Sequence, residues 1–237
     1  SMKSILSDFL AVLTLSLLIT ACATTRLPMA SEQIDSVLST MPADTRKARN
    51  AMAEQFLKKG EPTIVELYKR VVPAGEGDDA TARFALNGIA KYASRPGAPK
   101  QRQTFENGTL TALPALNSDE SKAFAIEQLE VAGSEASITA LATYLGHPHL
   151  AQPSITTLQT IGTPKARAAL HAALDRPNDI PTNIALVKAL GDLRHSPSTK
   201  KIIPFAISDD RALKFTALYA LANIADPTSE TILEAAV

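Results

Sequence analysis

Apolar residues recur at three- and four-residue steps along most of the chain, the spacing of helices that bury one face. Ile34, Val37, Leu38 and Met41, then Ala48, Met52, Phe56 and Leu57, follow this rule, and Pro42 divides them into two helices. Gly60-Glu61-Pro62-Thr63 restarts the chain, and Ile64, Leu67, Tyr68 and Val71 give the next helix one apolar face before Pro73 stops it. Another helix is predicted from Asp79, which can cap its amides, through Phe84, Leu86, Ile89 and Tyr92. Further on, Ile89, Leu129, Leu158, Leu190 and Leu221 align as the middle residues of successive second helices, at spacings of 40, 29, 32 and 31. Turns precede these helices at Asp78-Asp79, Asp119-Glu120, His147-Pro148, Asn178-Asp179 and Asp209-Asp210.

Those intervals form a repeat. Leu113-Pro114-Ala115-Leu116-Asn117-Ser118-Asp119-Glu120 and Ile203-Pro204-Phe205-Ala206-Ile207-Ser208-Asp209-Asp210 share one pattern of apolar, Pro and acidic positions at an offset of 90 residues, which is three periods of about 30. Such a period predicts an all-α solenoid, in which a helix pair buries its apolar face only by stacking on a neighbour. Residues 32–116 read as irregular first units and residues 117–237 as the regular array. Pro114 and Pro204 fall inside first helices, where each removes a hydrogen bond, so kinked first helices are expected on the convex side. Residues 94–103, with Pro96, Gly97 and Pro99, hold Arg95, Lys100 and Arg102 close together, either as a basic patch or, the preferred reading, as a solvated loop, followed by an insertion or an extra helix from near Thr104. The segment from Thr228 reads as a first helix. It serves either as a cap or as the edge of a longer array, and the second is preferred because a cap should present a polar outer face.

Residues 1–31 follow different rules. Lys3, an apolar run from Phe9 to Ala21, and Ile19-Thr20-Ala21-Cys22 make a segment too short to span a hydrocarbon core of about 30 Å but suited to a signal peptide. It resembles a bacterial lipoprotein signal over residues 1–22. The resemblance implies that Cys22 becomes the lipidated N-terminus, with residues 23–31 as a tether. Ala23 after the Cys, in place of Asp, implies the periplasmic side of the outer membrane.

Charge is balanced at 24 basic against 24 acidic residues, which removes the electrostatic case for a nucleic-acid partner. With one Cys, no intrachain disulfide can form. The aromatic content is 5% and Trp is absent, which suits thin stacked layers.

From Gly60 onward the chain resembles the short HEAT-like repeats of bacteria, the type also found in phycobilin lyases: an apolar-Pro first helix, an acidic turn, an Ala-rich second helix and a Gly or Pro turn. The resemblance implies a right-handed α-α superhelix of about five helix pairs. The family's Arg after the acidic turn is matched by Arg83 and Arg211 alone. Catalytic, cofactor and metal residues are not expected. The Asp pairs recur as caps do, and His147 and His149 should lie far from His195 on a solenoid, with His171 mid-helix. The function expected is a non-enzymatic, membrane-anchored scaffold, monomeric, that holds a protein partner in the bacterial cell envelope. Polar positions of the second helices would touch that partner, among them Gln128, Gln159, Lys188, Tyr219 and Asn223. The alternative is a lyase-like HEAT-repeat enzyme or enzyme subunit.

Overall fold

A computed structural model describes residues 27–236, and within them the protein is all-helical with no strand. The helices are α1 (Ser31–Leu38), α2 (Arg46–Lys59), α3 (Glu61–Tyr68), α4 (Ala80–Ala93), α5 (Pro99–Ala112), α6 (Asp119–Ala132), α7 (Ile138–Thr143), α8 (Ala151–Ile161), α9 (Pro164–Ala173), α10 (Ile180–Asp192), α11 (Thr199–Ile202), α12 (Arg211–Ile224) and α13 (Glu230–Glu234). Short 3₁₀ turns at Glu135–Ser137, Ser196–Ser198 and Pro227–Ser229 lead into α7, α11 and α13.

Local chemistry starts these helices. Thr45, Ser118, Thr163, Asp179 and Asp210 each accept a hydrogen bond from the amide of the third residue of the helix that follows. Asp179 and Asp210 are therefore the caps their turns predict. Ser118 takes that role for α6, while Asp119 and Glu120 occupy its first turn, where a carboxylate meets the positive end of the helix dipole. Asp79 precedes α4 but does not cap it; its carboxylate accepts from the Val72 amide and from Arg83 Nε instead. Pro62, Pro99, Pro164 and Pro181 sit in first turns, where an amide would have no helical acceptor.

Two expectations need adjusting. The helix expected near Thr104 begins at Pro99, so α5 has 14 residues, against 8 in α3, 6 in α7 and 10 in α9. This lengthened helix is what stretches the interval between Ile89 and Leu129. At Pro114 and Pro204 the chain tightens into 3₁₀ turns, Leu113–Ala115 and Ile203–Ile207, because without an amide proline cannot supply the i→i−4 bond of a continuing α-helix.

Two rows of helices result. In one, α2 packs on α4, α4 on α6, α6 on α8, α8 on α10 and α10 on α12; in the other, α3 packs on α5 and α7 on α9. Ile89, Leu129, Leu158, Leu190 and Leu221 are fully buried in the first row, and Phe56 on α2 extends it by one place. The rows are also stitched from unit to unit. Among residues 102–236, the side-chain hydrogen bonds that reach beyond the local turn span 26 to 34 residues, close to the interval read from the sequence. Across the stretched interval the spans lengthen to between 37 and 50, with 41 in the bonds Tyr68–Thr109 and Asn87–Gln128.

Two glycines permit the tightest packing. A Cβ on Gly191 would stand 2.6 Å from both Cα and Cβ of Ala220, so α10 and α12 touch backbone to backbone. A Cβ on Gly108 would stand 2.6 Å from Ile64 Cβ, which brings α5 against α3 in the same way.

The chain before α1 is also anchored. Met29 is buried with its amide donating to Thr63 Oγ1, and Arg70 reaches back to Asp35 and Ser31. Of the tether expected over residues 23–31, residues 27–31 are described, and within them Met29 is buried while Ser31 is held by Arg70. The apolar run, the lipobox and Cys22 lie outside the described residues. No described helix is long and apolar enough to cross a membrane.

Candidate functional site

The polar side of the second helices is the surface on which the sequence places partner contacts. Asn87, Lys188 and Tyr219 stand two residues before the buried Ile89, Leu190 and Leu221, which puts them at equivalent places on α4, α10 and α12. Toward the C-terminal end this surface has a hub at Asp192. Its carboxylate accepts from Lys188 Nζ at 2.6 Å, Gln159 Nε2 at 3.0 Å and the Tyr219 hydroxyl at 3.2 Å, so three consecutive second helices are joined through one acid. Burial alone would raise the Asp192 carboxyl, but the donors from Lys188, Gln159 and Tyr219 outweigh it and hold the group below the usual carboxylate range. The hydrogen bond to Asp192 in turn raises the Lys188 ammonium.

Of the residues expected to meet a partner, Gln159, Lys188 and Tyr219 therefore converge. Asn223 lies one turn beyond Tyr219 and is partly exposed. Gln128 is 3% exposed, and its amide is engaged by Asn87 and by the Phe124 carbonyl, which leaves little of it for an incoming molecule.

At the other end of the same row lies a cleft of about 440 Å³ between α2 and α4. Phe84, Gly88 and Tyr92 line it together with Asn50 and Asn87, and Arg46, Arg49, Lys91 and Arg95 surround it. The Arg95 guanidinium lies 3.6 Å from the centroid of the Tyr92 ring. This separates Arg95 from the two cations that are near it in sequence. Arg102 Nε donates to the Ala132 carbonyl at 3.0 Å and a second nitrogen donates to the Gly133 carbonyl, while Lys100 faces a different hollow beside Glu54 and Thr104. The supposed solvated loop thus divides into a cleft residue, a helix-end clamp and a surface cation.

The histidines group in a way that spacing did not foretell. His171 on α9 and His195 after α10 have ring centroids 5.5 Å apart, and the Nδ1 atoms of both lie within hydrogen-bonding distance of Ser198 Oγ. A hydroxyl beside an imidazole is the pairing of an activated nucleophile. Ser198 is fully buried, however, and Asp175, whose charge acts on His171, is paired with Lys201. The cluster joins α9 to the turn after α10, with the Ser198 hydroxyl buried beneath two partly exposed imidazoles. Partly exposed His147, which lies 3.7 Å from Asp119, and exposed His149 form a separate pair. Among the described residues no group of three or more His, Cys, Asp or Glu is placed to hold a metal ion.

Glu106 is a residue that sequence reasoning passed over. It is 3% exposed on α5, and its carboxylate accepts from the Ser134 amide at 2.7 Å, from the Ser134 hydroxyl and from the Ser137 hydroxyl at 2.6 Å. With Arg102 it clasps the turn between α6 and α7. The only available signal was an acid at a position where the helical pattern calls for an apolar residue.

No family model matches the chain, and no curated protein matches it.

Proposed function

We propose that the protein is a non-enzymatic scaffold of HEAT-like repeats, a right-handed α-α superhelix, lipidated at Cys22 and held at the periplasmic side of the bacterial outer membrane. There it holds a protein partner on the polar side of its second helices. The observation that carries this reading is the one-unit reach of the long-range ties: each unit is bonded to its neighbours at the interval of the sequence repeat, as stacked helix pairs require. Two features support the choice of surface. Lys188, Asp192, Gln159 and Tyr219 present a preorganised polar cluster there, and a cleft of about 440 Å³ opens on the same row of helices.

The test is site-specific photocrosslinking of the full chain in cells, with the photoreactive group at Tyr219 or at Asn223. A discrete crosslinked protein in the membrane fraction, absent when the group replaces exposed Gln103 on α5, is the expected result. Equal labelling at all three positions would overturn the choice of surface. Release of a small-molecule product by the purified chain from an envelope extract would overturn the non-enzymatic reading.

A further inference from the structure

We infer that the cleft between α2 and α4 is a docking site for an acidic peptide segment that also carries apolar side chains. This rests on the scaffold reading and names the chemistry of the segment it would take at its N-terminal end.

Four cations, Arg46, Arg49, Lys91 and Arg95, surround the cleft, and no acidic residue lines it. Among the described residues none of the four is ion-paired, whereas Arg70, Arg83, Lys188 and Lys201 all hold carboxylates. Like charges gathered without counter-charges repel one another, so the arrangement is destabilising until an anion enters. Two of the guanidiniums are already positioned. Arg49 donates to the Ala43 carbonyl and Arg95 donates to the Tyr92 carbonyl while lying over its ring, which fixes both forks before a ligand arrives. A planar guanidinium held in place favours a carboxylate that can accept two parallel bonds.

The lining selects between anions. Phe84, Gly88 and Tyr92 make the floor apolar, and a purely charged ligand would leave that floor uncovered. A peptide that alternates acidic and apolar side chains satisfies both parts. Asn50 adds an amide that can donate to and accept from a main chain. A nucleic acid fits less well. One face of Tyr92 is already covered by Arg95, and the chain's formal net charge is zero, so the positive field does not extend along a phosphate backbone.

The test uses the purified full chain and fluorescence anisotropy with a labelled peptide of alternating Glu and Leu. The comparison probes are the same peptide with Gln for Glu, a poly-Glu peptide and a labelled oligo-dT strand. Expected is saturable binding of the Glu/Leu peptide, weakened about tenfold or more in the double variant Arg49→Glu/Arg95→Glu and weakened by added salt, with both other peptides bound more weakly. Circular dichroism of the variant establishes that it is folded. The milder pair Arg46→Gln/Lys91→Gln, on exposed side chains, gives a second reading if it is not. Unchanged affinity in a folded variant, or no binding by the wild-type chain, overturns the proposal. Tighter binding of oligo-dT overturns it in favour of a phosphate polymer. If the peptide fails while crosslinking at Tyr219 still captures a protein, the cleft assignment falls and the scaffold stands.

Discussion

The imidazoles of His171 and His195 share the hydroxyl of Ser198, which lies 2.9 Å from one Nδ1 and 2.7 Å from the other. A hydroxyl has one proton to give, so at least one of the two rings must carry its proton on Nδ1 and donate. Burial lowers the His171 pKa, with a further push from Lys201 against an opposing pull from Asp175. For His195 burial also comes first, followed by the proximity of His171 and Arg167. Folded values below the unfolded 6.5 mean that the unfolded chain binds protons first as pH falls. Stability from this pair is fully present above the unfolded value and is lost as pH drops through the folded one. Melting temperatures measured from pH 8 to pH 5 should therefore decline in the wild type, and the decline should flatten in a His171→Gln/His195→Gln variant. An equal slope in both would show that other groups govern this window. Asp226, held at about 2 by donors from Ser196 and Thr228, loses its contribution only at much lower pH and cannot imitate the effect.

The contact between Gly191 and Ala220 predicts a second outcome. Gly191→Ala places a methyl carbon where the backbone of α12 already lies, and neither helix axis can yield without disturbing the packing on both sides. A loss of about 1 to 3 kcal/mol is expected by urea denaturation, despite the better helix propensity of Ala. A gain in stability would mean that α10 and α12 stand further apart than described.

Leu190→Asp attacks the same row from its interior. Leu190 is fully exposed only on unfolding, and replacing it forfeits about 1.5 to 3 kcal/mol of burial and leaves a charge in an apolar layer. Loss of the cooperative melting transition seen by circular dichroism is expected; an unchanged curve would contradict the alignment on Ile89, Leu129, Leu158, Leu190 and Leu221.

Glu106→Ala leaves the Ser134 amide and the Ser137 hydroxyl without their acceptor in a buried place. The expected cost is about 1 to 3 kcal/mol, with Glu106→Gln recovering part of it because one carbonyl oxygen remains. Hydrogen exchange at residues 133–137 should rise in the Ala variant. Protection equal to the wild type there would remove Glu106 from the clasp.

Cys22→Ser should move the protein from the membrane pellet to the soluble fraction, since a lipidated thiol is the anchor that the signal implies. Retention in the pellet would argue for attachment by another route.

Much of the helical order was legible because burial leaves a periodic record. Every middle residue chosen by spacing, from Ile89 to Leu221, is buried, and the Asp179 and Asp210 caps stand where turn chemistry puts them. The start of α5 was misplaced because Pro96, Gly97 and Pro99 read as punctuation, whereas Pro99 is a helix-opening proline that needs no amide donor there. The interactions between units were harder to see. His171 and Ser198, like Glu106 and Ser137, belong to different units, and no pattern within one unit reports which side chain of the next lies beside it. The cleft cations were hidden for a related reason: Arg46 and Arg49 are far in sequence from Lys91 and Arg95, and only the packing of α2 on α4 places them around one space.

Ties that reach a single unit have a mechanical consequence. A displacement at the α2–α4 cleft can reach Asp192 through the α4–α6, α6–α8 and α8–α10 packings, and each of those joints can absorb part of it. A molecule bound at both places would load every one of those joints in turn.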